Sequence, residues 1–83
     1  MAQIDKHCIV HTAGYNANGE TALELEAQDN TFGRTWFTSD TEPARAFLAV
    51  ALAAITTGKT ALCVIDDPTA GADRGISAIL LVA

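Results

Sequence analysis

Twelve consecutive residues, 44–55, run Ala-Arg-Ala-Phe-Leu-Ala-Val-Ala-Leu-Ala-Ala-Ile and carry one charge, that of Arg45. A surface helix keeps a polar face opposite its apolar stripe, so a helix of this composition is covered on more than one side. One small barrel covers a single side. Alanine is explained by helix propensity and tolerates exposure. Phe47, Leu48, Val50, Leu52 and Ile55, however, are spread too widely round the helix to form one stripe. The expectation is a closed homo-oligomer with these five residues in the subunit contact, because large exposed apolar patches mark contact sites.

The ends of this helix are marked. Ser39-Asp40-Thr41-Glu42-Pro43 is a start signal: Asp40 or Thr41 can accept from free backbone N–H groups, Glu42 suits the positive end of the helix dipole, and Pro43 is tolerated in the first turn. Gly58 is the stop, since the left-handed residue beyond a last turn is most easily glycine. Before the helix, residues 21–28 alternate cleanly, with Leu23, Leu25 and Ala27 on one face and Ala22, Glu24 and Glu26 on the other, which is a half-buried strand. Residues 4–12 read as a strand that runs into a turn-rich loop ending in Asn18-Gly19, and 34–38 as a third, aromatic and β-branched strand. After the helix, 60–65 and 76–82 are strands, joined by a turn-rich loop over 66–75.

Residues 1–83 therefore form one domain, mainly β with one helix, in the order strand-strand-strand-helix-strand-strand. That is the connectivity of the five-stranded OB-type Greek-key barrel. A chain this short buries only about 60–65% of its unfolded surface, so further support is expected from a disulfide or a partner subunit. Ten acidic residues against five scattered basic ones (Lys6, Arg34, Arg45, Lys59, Arg74) argue against nucleic acid as a partner. The longest apolar run, 46–55, falls short of the roughly 20 residues that span a bilayer, so no membrane insertion is expected. Residues 1–6 do not resemble a signal peptide. The expected location is cytoplasmic, or secreted or periplasmic if a signal has been removed.

Trp36-Phe37-Thr38-Ser39-Asp40, the helix with its end Thr57-Gly58-Lys59-Thr60, Ala61-Leu62-Cys63-Val64 and Gly75-Ile76-Ser77-Ala78-Ile79 resemble a family of short bacterial, usually exported proteins. Those proteins are similar to the B subunits of AB-type toxins such as subtilase cytotoxin. The likeness covers roughly the C-terminal half. It implies an oligomer-forming OB barrel, a ring of five, whose toxin relatives bind cell-surface glycans. It assigns no glycan-contacting residue to a position in this chain.

Catalytic signatures are lacking, and no enzyme is expected. Thr57-Gly58-Lys59-Thr60 looks like the end of a phosphate-binding loop, but Ala53 stands where the first glycine belongs and the helix precedes the motif instead of following it, so a helix cap is the better reading. His7 and His11 lie four apart on a strand, about 13 Å, too far to share a metal. Asp66, Asp67 and Asp73 lack the spacing of a cation loop and suit a solvated turn. No metal or cofactor is expected.

Binding candidates come from the surfaces an OB barrel uses, its second and third strands and the loops after strands one and four. These hold Tyr15, Asn16 and Asn18, then Trp36, then Asp67, Thr69, Asp73 and Arg74. An aromatic face beside amides and carboxylates suits a sugar. The alternative is that Trp36 is core and the asparagines only build turns; Trp36 and Phe37 point to opposite faces, so one of them is inside. Cys8 and Cys63 fall on strands expected to be neighbours. They are either a staple, which needs Cα atoms within about 7 Å and a shared face, or two free core thiols.

Overall fold

The computed structural model describes residues 3–39, 44–69 and 74–82, and within the helix the side chains from Ala46 onward. The helix start expected at Asp40–Pro43 lies outside the described residues, as does Asp73. Five strands and one helix follow the expected order: β1 (Gln3–Tyr15), β2 (Thr21–Ala27), β3 (Thr35–Ser39), α1 (Ala44–Thr57), β4 (Ala61–Asp66) and β5 (Ile76–Leu81). All four pairings are antiparallel, in the spatial order β3-β2-β1-β4-β5. The sheet is not closed. Its outer strands meet at one parallel bridge, Thr38 to Gly75, where the Thr38 N–H donates to the Arg74 carbonyl at 2.8 Å.

The clean alternation of β2 settles which face is inside. Leu23, Leu25 and Ala27 are buried against Cys8, Val10, Phe37, Ala61, Cys63 and Ile65, while Glu24 and Glu26 look outward. Two bulges adjust this pattern. In β1 the register shifts between Val10 and Thr12, leaving His11 as the extra residue. Cys8 and Val10 therefore face the core before the bulge, Ala13 packs against it afterwards, and Thr12 and Gly14 turn out opposite Glu24 and Ala22. In β5 the extra residue is Ser77, which lets Ile76 and Ile79, three apart, both point inward. Leu80 is left outside.

The open end of the core is shut by the turn between β2 and β3. Lys6 reaches Asp29 at 2.6 Å and Thr31 at 3.0 Å, and Phe32 folds over the interior, its ring 5.7 Å from that of Phe37 and tilted by 62°. The Lys6 ammonium, with the Thr31 hydroxyl and N–H, holds the Asp29 carboxyl well below the usual carboxylate range.

The helix packs over β1, β5 and β2 through Ala51 and Ala54, with Phe47 and Val50 partly buried beside them. These four residues form one stripe at 3.6 residues per turn. Leu48, Leu52 and Ile55 form a second stripe about 120° away, in which Leu52 and Ile55 are exposed. The five residues expected at a subunit contact thus divide: Phe47 and Val50 belong to the chain's own core, and three remain outside it. Gly58 ends the helix at φ +70°, and the Lys59 N–H returns to the Ala54 carbonyl at 3.1 Å, a Schellman cap. Among the described residues no helix is long and apolar enough to cross a membrane.

Cys8 and Cys63 are fully buried free thiols on neighbouring strands. Cys8 faces Ala61 and Cys63 faces Lys6, so the pair shares a face but sits on a diagonal of the ladder, where Cα atoms are typically about 7–8 Å apart, at the limit for a bond. The hydrogen bond to Cys8 and burial both push the Cys63 thiol up. Both cysteines should resist alkylation in the folded protein and take label when it is unfolded without reductant. An unlabelled chain lighter by two hydrogens would show a staple instead.

Among the described glycines, one is needed for close approach. The Gly75 N–H donates to the Asp66 Oδ2 at 3.0 Å, and a Cβ at Gly75 would lie 2.7 Å from that oxygen. Gly75→Ala should force Asp66 aside and cost about 1–2 kcal/mol in urea unfolding, through loss of a bond to a largely buried carboxylate.

Candidate functional site

The β1 bulge places Gly14, Ala22 and Thr38 in one lateral row across β1, β2 and β3. Small side chains along a row leave a depression in the sheet face. Here it is a concavity of about 490 Å³, with Thr12, Ala13, Tyr15, Asn16 and Trp36 completing its lining. The neighbouring row is Thr12, Glu24 and Trp36. Trp36 is 49% exposed and Phe37 is fully buried, so phenylalanine supplies the core and the indole faces the concavity. Tyr15, at the end of β1, is also exposed.

Of the candidates read from the sequence, the structure brings together Tyr15, Asn16 and Trp36. Asn16 is there as a turn builder. Its Oδ1 accepts from the N–H groups of Asn18 and Glu20, both at 3.0 Å, and its Nδ2 donates to the Glu20 carboxylate at 3.0 Å. Gly19, at φ +77°, and its N–H bond to the Asn16 carbonyl complete the turn. Asn18 does not line the concavity. Asp67 and Thr69 do not line it either; Asp67 Oδ1 accepts from the Thr69 N–H at 2.9 Å and hydroxyl at 2.7 Å, and those bonds hold its carboxyl below the ordinary range. Arg74 reaches the edge of the site through its main chain, at Thr38.

Sequence reasoning missed Thr12, Ala13, Gly14, Ala22 and Thr38. They carry no chemical signal, and their grouping follows from the bulge. His11 is also more constrained than a surface histidine. Its Nε2 lies 2.7 Å from Glu26 Oε1 and its Nδ1 lies 3.0 Å from the Arg34 Nη2. An arginine can only donate, so Nδ1 accepts and Nε2–H donates to Glu26. Both ring nitrogens are thereby committed.

A second depression, lined by Asp5, Lys6, His7, Gln28 and Asp29, is more polar, and its lysine is bound to Asp29. Among the described residues no three His, Cys, Asp or Glu side chains converge on a point that could hold a metal ion. Comparison of the chain with protein-family models, with curated proteins and with solved structures finds no match.

The two kinds of lining residue separate in a stability measurement. Asn16→Ala removes three hydrogen bonds from the turn and should cost about 1–2 kcal/mol, whereas Trp36→Ala, on an open face, should stay within about 1 kcal/mol of the parent. Urea midpoints of the two variants check this.

Proposed function

We propose that the chain is a non-enzymatic, homo-oligomeric binding module that takes a glycan on the outer face of β1–β3. The observation that carries this reading is the exposed Trp36 indole, with Tyr15 nearby, at a concavity floored by the small side chains of Gly14, Ala22 and Thr38. A sugar offers a flat C–H face to a ring and hydroxyls to the polar groups at its rim. Both His11 nitrogens are committed, to Glu26 and to Arg34, so that ring has no spare lone pair with which to act as a general base.

The scaffold is read as an OB-type Greek-key barrel. Strand order β3-β2-β1-β4-β5, the helix between β3 and β4, and the parallel bridge from Thr38 to Gly75 support that reading. Self-association is supported by the second apolar stripe of the helix, Leu48, Leu52 and Ile55. The number five, like the kinship with toxin B subunits, rests on the resemblance alone.

A second reading is a structural assembly domain without a small ligand. It is favoured by the exposed Leu80 and Leu81 of β5, which add to Leu52 and Ile55 the apolar surface expected of a packing protein. A glycan array combined with light scattering separates the two. The binding reading expects hits that fall about tenfold or more in Trp36→Ala and disappear in Gly14→Val. The latter fills the floor from a position where a Cβ meets nothing within 4 Å. Asn16→Ala should also lose them, but through the turn. A blank array from an intact oligomer favours the assembly reading. In either case Leu52→Glu with Ile55→Glu should shift the oligomer to monomer, and a parent that is already monomeric at tens of micromolar would remove self-association from the proposal.

A further inference from the structure

The charges around the concavity narrow its ligand class, on the premise that the β1–β3 face is the binding face. Glu24 lies directly between Thr12 and Trp36 in the strand register, which places its Cβ about 5 Å from that of Trp36. Its carboxylate accepts from the Thr12 hydroxyl at 2.9 Å, a bond that fixes its position and leaves its charge intact. Glu20 stands at the β1–β2 turn and is held in the same manner by the Asn16 amide. Among the described residues the lysine or arginine paired with a carboxylate is Lys6, with Asp29, and His11 is hydrogen-bonded to Glu26, so neither Glu20 nor Glu24 has a counter-ion there. Arg34, on the next row, is turned to His11.

The neutral groups able to read hydroxyls are few. The Asn16 amide is spent on its turn, and the Thr12 hydroxyl proton is spent on Glu24. What remains available to a ligand is the indole face and N–H of Trp36, the Tyr15 phenol and the Thr38 hydroxyl in the concavity, and the unneutralised Glu24 carboxylate on the adjoining row, on a chain whose net charge of -5 draws cations towards it. An indole face attracts a cation through its quadrupole, and a carboxylate beside it adds charge of the right sign.

We propose that the ligand is an amine-bearing sugar in its protonated form, with the C–H face of its ring on Trp36 and its ammonium group between the indole and the Glu24 carboxylate. The amine adds a charged anchor to the hydroxyl contacts that Tyr15, Thr38 and the indole N–H can make, and Glu24 distinguishes it from the neutral or N-acylated sugar.

Trp36 is the sole tryptophan of the chain, so its fluorescence reports on this site directly. The protein is titrated at about pH 5.5, where a sugar amine is protonated and an ordinary carboxylate is ionised, and at low salt, with a glucosamine trisaccharide, its fully N-acetylated form and a neutral glucose trisaccharide, and calorimetry repeats each titration. The free amine should bind about tenfold or more tightly than either of the others. That advantage should vanish in Glu24→Gln, where the Thr12 bond can persist, and shrink in high salt. Equal binding of all three sugars, or a preference for the N-acetylated or neutral one, overturns the charge assignment and leaves the binding reading standing. An amine preference that survives in Glu24→Gln overturns the role of Glu24. No response to any of the three, by fluorescence or by heat, overturns both the charge assignment and the glycan reading on which it rests.

Discussion

One extra residue in the central strand sets the geometry of this molecule. β1 pairs with β4 through Gln3–Cys8 and with β2 through Cys8–Tyr15, so a change of phase at residue 11 leaves the β4 side in register and falls on the pairing with β2. His11 makes that change. Up to Val10 the even-numbered residues of β1 face the core; past His11 it is Ala13 that packs inward, while Thr12 and Gly14 face out. Without the bulge, Thr12 would be driven into the interior and Gly14 would offer the core no side chain. The extra residue is not left loose. Glu26 and Arg34 hold its imidazole from both sides, which anchors the bulge through groups on β2 and just ahead of β3.

The interior responds to the small size of the chain by close approach. Where the helix meets the sheet its innermost residues are Ala51 and Ala54, and beneath lie Cys8, Ala27, Ala61 and Cys63 as well as larger side chains. Small groups on both sides let the helix lie near the strands, and Phe37, Leu23, Leu25 and Ile65 fill the remaining volume. A helix seated on alanines cannot also bury its leucines against the same sheet, because they project about 120° away. The absence of a polar face in residues 44–55 thus has two sources. One stripe closes the chain's own core, and the other lies outside it.

Much of this was legible from local pattern. The alternation of 21–27 fixed the buried face of β2, Gly58 marked the helix end, and turn residues separated the strands in their observed order. Those signals are local because their causes are local: side-chain alternation in a pleated strand and the steric freedom of glycine at positive φ. The bulges were not legible, since His11 and Ser77 are ordinary strand residues and the extra position is defined only against a partner strand. The side taken by Trp36 was undecided for a related reason. Trp36 and Phe37 are both good core residues, and only the pairing of Phe37 with Leu23 beneath the edge-on ring of Phe32 puts phenylalanine inside. Polar candidates were the least legible. Asn16 and Asp67 carry the side chains a binding site would use, and both are engaged in building their own turns. Composition cannot separate those roles, because the same short amide or carboxylate performs either.

The position of the concavity relative to the seam of the sheet follows from Thr38. This residue ends the row that begins at Gly14, and its N–H is also the donor that joins β3 to Arg74 ahead of β5. Gly75, the partner in that bridge, is in turn bound by the carboxylate of Asp66 at the end of β4. A line of hydrogen bonds therefore runs from the last residue of β4, through the start of β5, to the floor of the site on β3. Each link is made to a backbone group, and the Asp66 N–H also donates to the Gly75 carbonyl at 2.9 Å, so the start of β5 is held to the end of β4 twice. The floor of the site is consequently fixed from two directions, by the β1 bulge through Gly14 and by the β4–β5 junction through Thr38. Ala22, between them on β2, is paired with both.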